Sequence, residues 1–301
     1  MYECNPKDWD AQVKENAEKM SHDEFISWFD GGGTISGAYE KSQDIWNRLI
    51  NPIVRNQVKN PAEKTCLDVG YAHGGLTACA SKAFQHAYGV EWHDQADVIG
   101  PYLESLDHGN VYLVHSPEGI NMQDDSVDFL YSWLYVNRLG TIAGVQSFLS
   151  ECYRVMKDHA VGVIFFPRYI RTGKAQSVKD YEGDVIAENA DKKGYREGGV
   201  TTRVRGISII VALWKMKEML KKAGFNILGQ TASYDGKGRG KVYHGQHGLI
   251  FRKGDEEPEE KAQEPKSGDS ERDEDTQQKA PTKKTTRKKT TRKKSQLKKR
   301  K

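Results

Sequence analysis

In CLDVGYAHGG, Cys66–Gly75, a carboxylate is followed by small residues at alternate positions: Asp68, then Gly70, Ala72 and Gly74. The segment leaves a β-rich run and enters a helical one. A strand-to-helix turn of this kind presents backbone amides and a helix N-terminus to a ligand. Gly70 and Gly74 leave room for a ligand to touch the main chain, and Ala72 is nearly as small. Asp68, at the strand's end, suits a cationic ligand better than a pyrophosphate. Glu91 closes YGVE about twenty residues past the loop, where the next strand delivers an acid to ribose hydroxyls. Two acids flanking a small-residue loop fit a nucleoside that carries a positive charge.

Two further strand ends add to the set. In VHSPEG, Ser116 can hydrogen-bond an adenine edge and Pro117 stiffens the turn. In VDFLYSW, Ser132 and Trp133 reach the carboxyl edge of the sheet, where open α/β sheets take their ligands. Trp92 and Trp133, just past strand ends, either stack on adenine, line an acceptor pocket or pack in the core. His73, His115, Tyr135 and Arg138 are the groups available for proton transfer. Each reads more readily as packing, capping or solvation, so no catalytic base is assigned. His244 and His247 are spaced to point to opposite faces of a strand, and no metal site is expected from them. Cys66, Cys79 and Cys152 sit in apolar runs and read, with Cys4, as reduced thiols.

The elements that must position these residues are legible as alternating patterns. TCLDVG, HAYGVEW, NVYLVHS, VDFLYSW and GVIFFP read as strands separated by amphipathic helical runs, which argues for a parallel sheet covered on both faces. Ile142, Val145, Phe148, Leu149, Cys152, Val155 and Met156 form one apolar stripe; Leu213, Met216, Met219 and Leu220 form another, ending at Gly224. FNILGQTASYD and KVYHGQHGLIFRK, joined by GKGRG, make an antiparallel hairpin. Residues 1–60 are expected to form an N-terminal helical cap, with Trp9, Val13, Ala17 and Met20 on one face. Gly31-Gly32-Gly33 within it is a plain turn or a hinge beside a site. Residues 170–207, rich in Lys, Asp, Glu and Gly, read as a long surface insertion.

On these residues the chain resembles the class I methyltransferases that use S-adenosylmethionine, of the small-molecule type. LDVGYAHGG resembles their D-x-G-x-G-x-G loop, with Ala72 in place of the central glycine. The resemblance implies that Asp68, Gly70, Ala72 and Gly74 surround the methionine part of the cofactor and that Glu91 holds the ribose. It further implies that HSPEG and MQDDSVDFLYS are the adenine loop and fourth strand. ECYRVMKDHAVGVIFF matches the following helix and strand, but Lys157, Asp158, His159 and Ala160 stand where a proline-glycine turn is usual. The matches span roughly residues 65–253. The expected fold is therefore a Rossmann-like, seven-stranded mixed sheet with helices on both faces and a terminal hairpin, in a domain at 61–254. Gly70, Ala72 and Gly75 also approximate a dinucleotide fingerprint, but that architecture would continue with parallel strand-helix units where this one turns back as a hairpin. A binding or scaffold protein that keeps the fold without turnover is the competing class.

Charge divides the 301 residues into three regimes. Residues 255–275 hold eleven acids against three bases, and residues 277–301 hold thirteen bases and no acid. The first 254 residues keep 30 bases and 31 acids, so the formal net charge of +4 belongs to the tail. Low apolar content predicts disorder for 255–301. The basic stretch can neutralise phosphates, which makes non-specific attraction to nucleic acid one reading; a nuclear or nucleolar address and back-binding to the acidic stretch are equal alternatives. It lacks aromatic residues for base stacking. With no long apolar run and no leader-like start, the chain is expected to be soluble and intracellular, nuclear in a eukaryote and otherwise cytoplasmic.

Overall fold

Alternating β-branched and aromatic residues line up as five parallel strands: β1 (Thr65–Val69), β2 (His86–Glu91), β3 (Val111–His115), β4 (Val127–Ser132) and β5 (Met156–Pro167). The computed structural model describes residues 6–167, 185–188, 209–211, 213–233 and 246–254. Two short strands, β6 (Val185–Glu188) and β7 (Ile209–Val211), pair antiparallel with each other. The expected hairpin is present as β8 (Phe225–Ala232) and β9 (Gln246–Lys253). β9 pairs antiparallel with β5 and leaves β8 at the edge, giving the order β3-β2-β1-β4-β5-β9-β8. The seven-stranded mixed sheet is thus the expected one.

A two-residue period sends side chains to the two faces of this sheet in turn. Leu67, Val69, Leu130, Ile164 and Phe166 enter one core with helices α6 (Ala96–Glu104), α7 (Ile142–Val155) and α8 (Leu213–Lys222). Cys66, Phe129, Tyr131, Val163 and Phe165 enter the other with α5 (Gly75–Ser81). The N-terminal helices divide between these layers. Trp9 and Val13 of α1 (Pro6–Lys19) and Phe25 and Ile26 of α2 (His22–Trp28) belong to the first core. Ile45 of α3 (Ile35–Ile45), a π-helical turn at Trp46–Ile50, and Ile53 and Val54 of α4 (Asn51–Gln57) belong to the second. Gly31, Gly32 and Gly33 form the turn between α2 and α3, all with positive φ.

The junction after α7 has its own shape, as Lys157–Ala160 suggests. The helix passes straight into β5 at Met156, His159 has φ +63°, and the pairing with β4 shifts between Val127 and Phe129, so the segment is a bulge where a turn is usual. Of the expected insertion, only 185–188 falls in the described residues. β7 follows it, with Ile209 and Val211 buried against the main core. The tail from 255 onward lies outside them. No described helix is long and apolar enough to cross a membrane.

Candidate functional site

Strand register decides which of the expected site residues meet. Val69 lies opposite both Val90 and Ser132, and Glu91 lies opposite His115. Asp68, Glu91, Ser116 and Ser132 therefore sit at the carboxyl edge of β1 to β4, and none is more than 2% exposed.

The loop from β1 to α5 is left-handed at Gly70 (φ +89°), Ala72 (+53°) and Gly74 (+80°). Gly70 donates its N–H to Val90 O at 2.9 Å and Gly74 to Tyr71 O at 2.7 Å, so the loop is tied to β2 and to itself. Where room for a ligand was expected beside the two glycines, the protein's own side chains come close. A Cβ on Gly70 would lie 2.9 Å from the Tyr135 side chain, and one on Gly74 3.0 Å from Leu103. Tyr135 arrives there because a 3-10 turn, Tyr135–Arg138, follows β4 directly.

Two histidines fasten the loop from outside. His73 Nδ1 accepts the Gly75 N–H at 3.3 Å, and its Nε2 lies 3.3 Å from Asp30 Oδ2, at the end of α2. His93 Nδ1 accepts the Gln95 N–H at 3.3 Å, and its Nε2 lies 3.2 Å from Ala72 O. With Nδ1 accepting, each ring is the Nε2–H tautomer and has no nitrogen left for a substrate. Burial pushes His93 down to about 3, against the opposing Ala72 carbonyl, so it stays neutral. Burial works to raise the Asp30 carboxyl, but the hydrogen bond from His73, with the charge and hydrogen bond of Lys41, holds it below its ordinary value.

The two acids are buried differently. Asp68 Oδ2 accepts the Thr77 hydroxyl at 2.8 Å, while Oδ1 accepts no well-aligned hydrogen bond and has the Tyr131 hydroxyl beside it. Burial raises its carboxyl to about 7, with the Thr77 and Tyr131 hydroxyls opposing and the charge of Glu91 adding to the rise. Glu91 Oε1 accepts the Trp92 N–H at 3.0 Å, while Oε2 accepts no hydrogen bond and faces Arg138 Nη1 at 3.7 Å. Burial raises Glu91 as well, with the Arg138 charge as the largest opposing influence. Arg138 in turn lies over the Trp9 indole, 3.5 Å from its centroid.

The remaining expected residues are placed as follows. Trp92 is 4% exposed and packs against Tyr135 at 4.4 Å between ring centres. Ser116 accepts the Asn121 N–H on its hydroxyl at 3.1 Å, closing its own loop, and its N–H donates to Glu91 O at 2.7 Å. Pro117, Asn121, Met122 and Arg154 wall an open cavity of about 500 Å3. Ser132 is fully buried with a hydroxyl that has no partner. Trp133 turns to the second core, against Phe165 at 5.0 Å, and not toward the strand-end site. His115 Nε2 lies 2.9 Å from Trp92 O. Asp30, Thr77 and His93 were not among the expected site residues. His93 follows Glu91-Trp92 directly, which is a local signal; Asp30 reaches the loop only through tertiary packing.

No protein-family model matches the sequence, and no curated protein matches it. Solved structures do. The [4+2]-cyclase SpnF is similar at 12% identity over 83% of this chain and 96% of that one, with a TM-score of 0.51. A putative methyltransferase from Bacillus halodurans is similar at 14% identity over 68% of this chain and 98% of that one, with a TM-score of 0.50. A methyltransferase dependent on S-adenosylmethionine from Methanosarcina mazei is similar at 17% identity over 67% and 97%, with a TM-score of 0.49. At such identities the likeness speaks for architecture. Together with the strand order and the loop after β1, it gives this chain the Rossmann-like fold of the class I S-adenosylmethionine-dependent methyltransferases.

Proposed function

We propose that the protein transfers a methyl group from S-adenosylmethionine to an acceptor nucleophile. One observation carries this reading: each of two buried acids at adjacent strand ends keeps an oxygen without a well-aligned hydrogen bond, Asp68 Oδ1 and Glu91 Oε2. A buried polar atom without a partner costs about 1–3 kcal/mol, so such atoms in a folded protein call for an explanation. A ligand with a cationic end and a ribose diol supplies both partners. The donor set therefore fits this cofactor, with Asp68 and the loop at Gly70, Ala72 and Gly74 on its methionine side and Glu91 on its ribose. Trp92, Ser116, Pro117 and Ser132 surround the remainder.

S-adenosylmethionine, when bound, supplies an electrophilic methyl group on a sulfonium sulfur. The protein's residues then orient and exclude. Asp68 sets the cationic end, Glu91 accepts from the ribose, and Tyr135 with the aromatic residues of α1 and α2 keeps water out. In-line attack needs alignment above all, and alignment alone can contribute about 7–11 kcal/mol. No base is assigned, because both nitrogens of His73 and of His93 are engaged.

The name of SpnF is that of a cyclase, so the fold by itself does not dictate the reaction. For the acceptor, the thirteen bases of residues 277–301 favour nucleic acid or a protein associated with it. The test is calorimetric titration of the full chain with S-adenosylmethionine, beside Asp68→Asn and Glu91→Gln, followed by transfer of labelled methyl to candidate acceptors. Saturable binding that is weakened in both variants supports the reading. No binding by folded wild type overturns it.

A further inference from the structure

Arg138 is 7% exposed and sits between two groups that the chain brings from far apart: the Trp9 indole of α1, 3.5 Å below its guanidinium, and the Glu91 carboxylate at the end of β2. Trp9 is itself stacked on Trp28 of α2 at 5.3 Å. We propose that Arg138 is a positioning residue with two separable tasks: it seats the N-terminal helix through Trp9, and its charge keeps Glu91 ionised and able to accept a ribose hydroxyl. The distance is what assigns the role. At 3.7 Å, Arg138 Nη1 supplies charge to Glu91 without donating a hydrogen bond to Oε2, so the oxygen stays available to accept from a hydroxyl. Without that charge, a carboxylate in this dry site gains a proton and loses acceptor strength. The guanidinium also lies over the Trp9 ring, 3.5 Å from its centroid, and a cation over an indole contributes most where water is excluded. A helix packed by such a stack is held through the arginine, and the arginine is held by the acid.

The ribose half of the proposal rests on the cofactor reading above; the helix half does not. The experiment is hydrogen exchange on the full chain, with and without S-adenosylhomocysteine, for the wild type, Arg138→Gln, Arg138→Lys and Trp9→Leu. Exchange in β1 and β4 reports whether each variant is folded. Arg138→Gln should speed exchange in α1 about tenfold or more and weaken S-adenosylhomocysteine about tenfold, while β1 and β4 stay protected. Arg138→Lys keeps the charge and loses the flat stack, so it should recover affinity while α1 stays loose. Trp9→Leu should loosen α1 and weaken binding less than Arg138→Gln. A purely structural arginine would not split these readouts. If wild type binds and the arginine variants change neither exchange in α1 nor affinity, the proposal is wrong. If folded wild type does not bind, the cofactor reading fails and the ribose half with it, and exchange in α1 alone decides the helix half.

Discussion

Asp68 carries the sharpest consequence at the scale of single residues. Its carboxyl is raised by burial from 3.8 to about 7, so the free protein holds a proton there in the interval between. The stability from that raised value is complete below about 3.8 and is lost as pH rises through about 7. A cationic ligand needs the ionised form. Affinity for S-adenosylmethionine is therefore expected to rise with pH up to about 7 and then level off, each unit below costing up to roughly tenfold. Calorimetry from pH 5.5 to 8.5 measures it, and Asp68→Asn should flatten the profile; an equally sloped variant would remove Asp68 from the role. Ala72 offers a second measurement. A residue with a Cβ at φ +53° bears strain of about 1–2 kcal/mol that glycine avoids. Ala72→Gly should thus raise stability by up to about 1 kcal/mol in thermal melts, whereas Gly70→Ala, with Tyr135 at 2.9 Å and φ +89°, should cost several times as much. Equal effects of the two changes would mean the loop relaxes freely.

At the scale of elements, the loop after β3 depends on α7. Arg154 donates to Ile120 O at 2.7 Å and Met122 O at 2.8 Å, and pairs with Glu151 and Asp124; Glu151 in turn accepts the Ile120 N–H at 3.1 Å. One helix side chain thereby satisfies two carbonyls of the segment that carries Ser116 and Pro117. Arg154→Met keeps the aliphatic stem and removes the donors. It is expected to weaken cofactor binding by about three- to tenfold and to speed exchange at residues 117–123, with β3 unaffected. An unchanged loop would show that Ser116 and Asn121 hold it alone. The pattern ECYRV was legible in the sequence as part of a helix, but the carbonyls that Arg154 meets, thirty-two and thirty-four positions away, were not. The histidines repeat that lesson. His73 was visible as a ring inside the glycine loop, yet its engagement with Asp30 depends on how α2 meets the loop, and residue spacing does not report that.

At the scale of the whole molecule, the uneven charge of the sequence predicts separable functions. Removing residues 277–301 should leave cofactor affinity and melting temperature unchanged and lower affinity for nucleic acid. On duplex DNA it should also flatten the log–log salt dependence by about 0.9 for each phosphate that the tail neutralises. Filter binding across a salt series reads the slope, and an unchanged slope would refute the tail as the binding segment. The fold itself was widely legible: strand-helix alternation over residues 65–166, the closing hairpin and the acids at strand ends all follow from local periodicity and turn chemistry, which act over a few residues. Asp68, Glu91, Ser116 and Ser132 could be named from the sequence because each ends a strand, and parallel register carries strand ends to one edge. Tertiary structure alone decided the rest. It turned Trp133 to the far core, filled the space beside Gly70 with Tyr135, and brought Trp9 and Arg138 to Glu91. Those contacts join segments up to about 130 residues apart, and they are selected by close packing and by the cost of burying a lone charge, neither of which is written in the spacing of neighbours.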